Sequence, residues 1–587
     1  MKIRIAHHLV IFALVSAFVG GCAGSSHEVR SVSDGSAPSR PDYDTDDEYV
    51  ATEAAGAPAP RDYPATQDPS PAVAAAPRVS AVEAARAEKE RQLSIRTAEE
   101  QRKSAEESER RRAEVVGREA SPELPTEPDP VTAEAYGEWG INDFVSPEKD
   151  PLSTFAIDVD TASYTIARRK LTEGALPPAA SVRVEEFVNF FDYHYAPPTD
   201  RTMPFAVTFD AAPSPFRDDH VFLRVGVQGR TVAADERPPV HLTFLVDTSG
   251  SMQSDDKMGL VKQSLHLLVD NLRKGDTVAL ATYAGSVREV LAPTGLGDKA
   301  QVHAAIEQLS ASGSTAMSSG LELAYKLAYK NLAPGHINRV IVCSDGDANV
   351  GPASHEQILE QIRHFTQEGV TLSTIGFGMG NYKDVMMEQL ADNGNGNYYY
   401  IDSFAQAQKV FQDDLMGTLV VIAKDVKIQV EFDPTAVVAY RLIGYENRDI
   451  ADKDFRNDAV DAGEIGAGHN VTALYELELR EGGSARPATV RIRHKEPEGS
   501  RAAENTWAFS RESIRPSFAE ANASFRFAVG VASFAELLRH SPFAREWSLG
   551  QVRAIARSAS DKTAEQEELV ALMDAAIRLT DAPAARR

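Results

Sequence analysis

The strongest constraint on the fold is an apolar strand that ends in a run of small polar residues. Residues 241–247 read His-Leu-Thr-Phe-Leu-Val-Asp, a pattern typical of a strand covered on both faces of a sheet. Asp247, Ser249 and Ser251 then follow at alternate positions. Apolar residues at helical spacing over residues 258–272 predict an amphipathic helix. Strand, polar turn and helix in this order predict an α/β sheet that binds a ligand at the carboxyl end of the strand.

The side chains of this turn offer hard oxygen ligands. Carboxylate and hydroxyl oxygens suit Mg2+, which prefers octahedral oxygen coordination and keeps several of its waters. Because one carboxylate does not neutralise a divalent cation, further ligands are expected elsewhere in the chain. Thr315 lies in a loop of small residues before a helical segment, and Asp345 ends a second apolar strand. These residues predict a site for Mg2+, with Mn2+ and Ca2+ as alternatives.

These carboxylates and hydroxyls occur in the order found in the metal-ion-dependent adhesion site of von Willebrand factor A domains, a family that the sequence resembles over residues 238–420. The resemblance implies five metal-binding residues: Asp247, Ser249, Ser251, Thr315 and Asp345. The first three are implied to hold the ion directly, and the last two directly or through water. One coordination position is implied to stay open for an Asp or Glu of a protein partner. The alternative for any single one of these residues is a helix cap.

The surface that meets the partner is predicted on loops at the carboxyl ends of the central strands. Two of these loops, residues 347–352 and 378–383, are rich in Gly and Asn and contain no core residues, so they can vary without loss of the fold. The alternative for their polar side chains is turn and helix-cap chemistry. The candidates for partner contacts are Asp347, Asn349, Asn381 and Tyr382.

The N-terminus has the pattern of a secretory signal. A basic start is followed by a short apolar segment over residues 9–19, and small residues precede Cys22. Residues 19–22, Val-Gly-Gly-Cys, resemble a bacterial lipobox, which implies a signal peptide over residues 1–21 and a lipid on the Cys22 thiol. The alternative is an ordinary signal peptide. By the family rule the anchored protein is expected at the outer membrane, and residues 22–135 are predicted to form a disordered, partly helical charged tether.

Charge and cysteine content exclude two classes of protein. The formal net charge of −25 makes nucleic acid an improbable partner, because phosphate binding needs a basic surface. Cys22 and Cys343 are the two cysteines of the chain, which excludes a disulfide framework.

Short alternating segments on both sides of residues 238–420 predict strands of one β-sandwich. The predicted fold class is therefore α/β: a Rossmann-like von Willebrand factor A domain inserted into a β-sandwich-like flank, with a helical C-terminal part. The flanks, notably residues 440–447 and 461–468, resemble those of a family of bacterial envelope lipoproteins. The predicted parts are an N-terminal flank (136–237), the inserted domain (238–420), a β-rich flank (421–515) and C-terminal helices (516–587).

Two other functions are open at this point. Residues 155–161 contain Asp158 and Asp160 in an Asp-x-Asp pattern that resembles the nucleophile strand of haloacid-dehalogenase-like phosphatases. Ala162 departs from that pattern, and the later lysine and acidic motifs of the family do not occur. The second alternative is an envelope scaffold whose metal only stabilises the sheet. A non-enzymatic, metal-dependent binding module is the favoured interpretation.

Overall fold

The computed structural model describes residues 136–313, 317–346, 355–378 and 384–581. The predicted signal peptide, the lipidated Cys22 and the tether over residues 22–135 lie outside the described residues. None of the described helices has both the length and the apolar character that crossing a bilayer requires.

The N-terminal flank contributes strands to both sheets of a sandwich. The sequence predicts a strand and then a helix over residues 153–171, around Asp158 and Asp160, and an antiparallel pair of strands over residues 204–210 and 220–228. The structure confirms these elements. The elements are β1 (Leu152–Ala156), α1 (Ala162–Thr172), α2 (Val184–Asn189), β2 (Phe205–Pro213) and β3 (His220–Gly229).

The second of these helices is shorter than predicted. The aromatic pattern predicts a helix over residues 184–195, whereas α2 ends at Asn189. The Asn189 side-chain amide donates to the Asp158 carbonyl oxygen (3.0 Å), and its oxygen accepts from the Thr472 N–H (2.8 Å). These bonds hold the end of α2 against the sandwich. Further along, His194 has a left-handed φ of 55°, so a right-handed helix cannot continue through this residue.

The inserted domain is a six-stranded sheet with helices on both faces. Its strand order is β6-β5-β4-β7-β8-β9, in which all neighbours are parallel except β5 and β6. The edge strand β6 was not predicted, because most of its residues are partly or fully exposed and its apolar pattern is weak. The elements are β4 (Val240–Asp247), α3 (Leu260–Asn271), β5 (Thr277–Tyr283), β6 (Val287–Gly295), α4 (Lys299–Glu307), α5 (Met317–Lys330), β7 (Ile337–Ser344), α6 (His355–Gln367), β8 (Thr371–Phe377), α7 (Asp384–Asn393) and β9 (Tyr398–Ile401).

The chain then returns to the sandwich, so the predicted insertion of the α/β domain is confirmed. One sheet has the order β1-β10-β14-β15 with β12 beside β10, and the other has the order β11-β13-β3-β2. The elements are α8 (Phe404–Gln408), α9 (Leu415–Leu419), β10 (Val421–Phe432), β11 (Val437–Ile443), β12 (Ile465–Gly466), β13 (Asn470–Leu479), β14 (Ala488–Lys495) and β15 (Ala502–Phe509).

The core runs without a break from the sandwich into the α/β domain. Apolar side chains of both sandwich sheets and of one face of the six-stranded sheet form a single cluster. The predicted C-terminal helices form a second core with the aromatic residues around α2, where Phe187 faces Phe534 and Phe191 faces Phe527 edge-on. These helices are α10 (Ala523–Leu538), α11 (Leu549–Ala559) and α12 (Ala564–Asp581).

Candidate metal centre

The site lies where the strand order of the α/β sheet reverses. Strand β4 runs parallel to both β5 and β7, and the chain continues from β4 to one side and from β7 to the other. Asp247 ends β4, and Asp345 directly follows Ser344, the last residue of β7. Ligands of open α/β sheets bind at this switch point, beyond the carboxyl ends of the strands.

Asp247 is fully buried and its carboxylate is held from two sides. One oxygen, Oδ1, accepts a hydrogen bond from the Ser249 N–H (2.8 Å), and Oδ2 accepts one from the Ser344 hydroxyl (3.1 Å). Burial raises the pKa of Asp247, and the charge of Asp345 raises it further. The sequence predicts that the Asp247 charge faces solvent or a metal ion; because the side chain is buried, it does not face bulk solvent, and the metal stays a prediction.

The two serines of the turn present their hydroxyls side by side. Ser249 Oγ and Ser251 Oγ are 2.9 Å apart, with Ser249 buried and Ser251 exposed. Two neighbouring oxygens bound to Mg2+ at about 2.1 Å in an octahedron lie about 3 Å apart. The spacing and chemistry of this pair therefore fit two adjacent ligands of one ion.

The loop that leads to Thr315 is bonded to this turn. The Gly250 N–H donates to the Gly313 carbonyl oxygen (3.0 Å), and the Ser312 N–H donates to the Thr248 carbonyl oxygen (2.6 Å). Thr315 itself lies outside the described residues. The residues just before Thr315, Ser312 and Gly313, are hydrogen-bonded to the Asp-Thr-Ser-Gly-Ser turn. Such contact is expected if Thr315 and this turn bind the same ion.

Asp345 has a neighbour that the sequence did not predict. Lys257 belongs to a π-helical turn (Asp255–Gly259) before α3, and its Nζ donates to Asp345 Oδ2 at 2.9 Å. Its stem passes over Gly378, where a Cβ atom would lie 2.2 Å from Lys257 Cγ and where φ is +75°. Glycine at this position therefore lets the lysine reach the sheet edge. The one sequence signal for this contact was a lysine placed between the serine motif and the helix that follows it.

The structure thus brings four of the five predicted metal ligands to one edge of the sheet. Asp247, Ser249 and Ser251 surround the end of β4, and Asp345 stands beside them. The remaining predicted residues lie outside the described residues: Thr315, Asp347, Asn349, Asn381, Tyr382 and Cys22.

The Asp-x-Asp pattern that resembles phosphatases lies in a different setting. Strand β1 is an edge strand of the sandwich and pairs antiparallel with β10. Asp158 and Asp160 therefore do not follow a strand of a parallel sheet, as the nucleophile of such a phosphatase does, and this removes the structural basis of that resemblance. Both side chains are buried among other acids.

Three family models match the chain along its length. The "von Willebrand factor" model matches residues 130–224, and the "von Willebrand factor type A domain" model matches residues 241–413. The model "Uncharacterized protein YfbK, C-terminal" matches residues 417–488 and 482–579.

Similar proteins span bacteria and animals. "Uncharacterized protein YfbK" of Escherichia coli (strain K12) is 38% identical over 480 residues, which cover 77% of this chain and 82% of that protein. "Inter-alpha-trypsin inhibitor heavy chain H3" of Homo sapiens is 23% identical over 263 residues, 41% of this chain and 29% of that protein.

Among solved structures, a von Willebrand factor type A protein from Catenulispora acidiphila aligns with a TM-score of 0.39 and 16% identity, covering 65% of this chain and 91% of that chain. Identity and coverage with the Escherichia coli relative, together with the matched models, place the whole described region in one family. The chain belongs to the YfbK family of bacterial von Willebrand factor type A domain proteins.

Proposed function

We propose that the protein is a non-enzymatic envelope lipoprotein that captures a protein partner through a divalent cation held by Asp247, Ser249, Ser251, Thr315 and Asp345. One observation carries the proposal: a buried carboxylate and two adjacent hydroxyls meet a second carboxylate at the switch point of the sheet. Von Willebrand factor A domains often mediate protein–protein interaction through such a site.

The donor set supports a binding role for the ion. Hydroxyl oxygens carry no charge, so a cation held by few carboxylates keeps net positive charge and attracts an acidic ligand. When bound, the divalent cation supplies an open coordination position for a partner's Asp or Glu. Lys257 adds positive charge at the same edge, because its ammonium group lies 2.9 Å from Asp345 Oδ2.

Two further parts of the proposal concern the partner surface and the anchor. We assign the partner contacts around the ion to Asp347, Asn349, Asn381 and Tyr382. We also propose that acylated Cys22 holds the protein in the outer membrane and that residues 22–135 act as a tether. The lipobox-like sequence supports the anchor.

Capture of envelope proteins on the immobilised protein tests the binding role. We expect capture in Mg2+, loss of capture in EDTA, and loss in the Asp247→Asn variant, whose shape and hydrogen-bond acceptor are nearly unchanged. The Glu236→Gln variant, which changes an exposed acid in the N-terminal flank, is the matched control. Capture that persists in both EDTA and Asp247→Asn contradicts the proposal.

Membrane fractionation tests the anchor separately. The Cys22→Ser variant is expected to leave the membrane fraction while its folded part keeps the wild-type melting temperature. If that variant still sediments with membranes after a high-salt wash, the lipidation at Cys22 is refuted and the metal-dependent capture is unaffected.

A further inference from the structure

A second group of acids meets inside the molecule, away from the sheet edge. Asp158 follows β1, and Glu185 and Glu186 lie in the short helix α2. One carboxylate oxygen from each of the three lies within 4.8 Å of the others. Their exposed fractions are 4%, 1% and 0%, so these are interior carboxylates. We call these three residues the interior acid cluster.

The surroundings of the interior acid cluster contain more negative than positive groups. Three further buried acids approach it: Asp160, Asp384 and Glu388. In the described part of the chain, five of these six carboxylates are ion-paired with two guanidinium groups, Arg183 and Arg448, and Glu185 is ion-paired with neither. With every group ionised, four negative charges lack a matching cation, and burying an unpaired charge costs several kcal/mol.

Two oxygens of the interior acid cluster have no hydrogen-bond donor among the described residues: Asp158 Oδ2 and Glu185 Oε1. The Nε atom of Arg448 lies 3.3 Å from Asp158 Oδ2 as an ion pair but does not form a hydrogen bond to it. Buried carboxylate oxygens are normally hydrogen-bonded or coordinated. These two open oxygens belong to members of one cluster that come from different segments of the chain, and they are available as ligands for a cation.

The other oxygens of the same side chains are firmly held. Asp158 Oδ1 accepts from the Asp160 N–H (3.0 Å), and Glu185 Oε2 accepts from the Tyr445 N–H (2.9 Å). Glycine is required beside the latter bond, because a Cβ at Gly444 would lie 2.7 Å from Glu185 Oε2. The open oxygens are therefore presented in fixed positions.

Solvent cavities reach the interior acid cluster from two sides. A cavity of about 380 Å³ is lined by Asp158 and Arg448, and a second of about 270 Å³ is lined by Glu185 and Arg183. Asn447 lines both cavities. A hydrated ion can therefore enter without unfolding of the chain.

We propose that Asp158, Glu185 and Glu186 form a second divalent-cation site, with Ca2+ as the favoured ion. Ca2+ accepts carboxylate-rich oxygen shells at about 2.3–2.6 Å, so two of its ligands lie at most about 5 Å apart, as the 4.8 Å limit of the cluster requires. Mg2+ demands stricter octahedral geometry and retains more waters, which suits the edge site better, because Ser251 there is exposed to solvent.

The proposed ion would join three parts of the fold. Its ligands come from the N-terminal flank, and the surrounding side chains come from α7 of the inserted domain and from the sandwich segment at Arg448. The site is separate from the edge site at Asp247, so either one can exist without the other.

Counting bound ions on the full chain tests the proposal. Chelator-treated wild type, Asp247→Asn and Glu185→Gln are dialysed against Ca2+, and bound calcium per chain is measured by elemental analysis. We expect the Asp247→Asn protein to keep one tightly bound ion that Glu185→Gln lacks, and Glu236→Gln to match wild type. The melting temperature of Asp247→Asn should rise with Ca2+, and that of the double variant should not.

The outcomes distinguish the second site from the edge site. If Asp247→Asn binds no calcium, or if folded Glu185→Gln binds as much as wild type, the second site is refuted. If Asp247→Asn binds as much as wild type while Glu185→Gln binds one ion fewer, the second site stands and the edge site does not hold Ca2+. Should Glu185→Gln not fold, as judged by circular dichroism, the calcium content of Asp247→Asn still decides.

Discussion

Arg441 and Asp158 both lie in buried charge networks, but the two networks balance their charge differently. Arg441 is fully buried and pairs with Glu476 (3.2 Å) and Glu536 (3.0 Å). Arg539 also pairs with Glu536, so the acids of this network meet guanidinium groups on several sides. Around Asp158, Arg183 and Arg448 pair with five buried carboxylates, and a sixth, Glu185, pairs with neither of them.

The pKa values of the acids follow this difference. Burial alone would raise the pKa of Glu536, but the charges of Arg441 and Arg539 outweigh it and lower the pKa. In the interior acid cluster, burial and neighbouring acids raise the pKa of Glu185 to about 7. The number of arginines available therefore decides whether a buried acid is ion-paired within the chain or depends on a cation from solution.

The largest expected effect comes from removal of Arg441. The Arg441→Met variant leaves Glu476 and Glu536 without their shared guanidinium, which should lower the free energy of unfolding by about 3–5 kcal/mol. The control is Arg456→Met, which removes an exposed ion pair with Glu504 and should cost about 0–1 kcal/mol. Denaturant unfolding of the full chain measures both. Equal losses in the two variants would show that the buried network contributes no more than a surface pair.

A smaller effect is expected from Glu476, and it depends on pH. Burial would raise the pKa of Glu476, but the His220 ring and Arg441 lower it below its ordinary value of 4.5. A group whose pKa is lower in the folded state stabilises fully above the unfolded pKa and loses this contribution as pH falls through the folded pKa.

The Glu476→Gln variant should therefore lose about 1.5–3 kcal/mol at pH 6 and less at pH 3.5, because the lost interaction is a hydrogen bond to a charged group. Unfolding midpoints at the two pH values, compared with wild type, measure this difference. An equal loss at both values would mean that the ionised form of Glu476 is not the stabilising one.

Lys257 offers a third comparison, because it gives the edge site an internal cation. The Lys257→Met variant removes the hydrogen bond to Asp345, which an incoming ion must otherwise displace. Such bonds contribute about 1.5–3 kcal/mol, so Mg2+ affinity should increase about tenfold or more. Calorimetric titration measures it, with Lys326→Met, an exposed lysine paired with Glu322, as the control. Weaker Mg2+ binding in Lys257→Met would instead make the lysine a supporting part of the site.

Local sequence patterns predicted most of the fold. Apolar runs predict strands over residues 277–283 and 398–401, and β5 and β9 have these ends. The sandwich strands on both sides of the inserted domain also pair as expected, because alternation and buried apolar runs are local signals. Asp247 and Asp345 were predicted to meet because each ends a central strand of a parallel sheet.

The interior acid cluster could not be predicted in this way. Asp158 comes from the end of β1 and Glu185 from α2, and their meeting depends on how α2 packs against the sandwich at Tyr445. The available signal was local and incomplete: two adjacent glutamates inside an otherwise apolar, aromatic helix. The pairing of Lys257 with Asp345 likewise depends on tertiary contacts, since the two residues are 88 positions apart.

The central claim, that the edge site holds a divalent cation, is tested most directly by titrating Mg2+ into the full chain and into Asp247→Asn by calorimetry. Asn keeps an acceptor for the Ser249 N–H, and its amide NH2 can donate to the Ser344 hydroxyl oxygen in place of the bond that Asp247 Oδ2 accepts, so the fold and its melting temperature without metal should be nearly unchanged. The account predicts a Mg2+ binding event in the wild type that the Asp247→Asn protein lacks. Identical titrations of the two proteins, both folded, would contradict it.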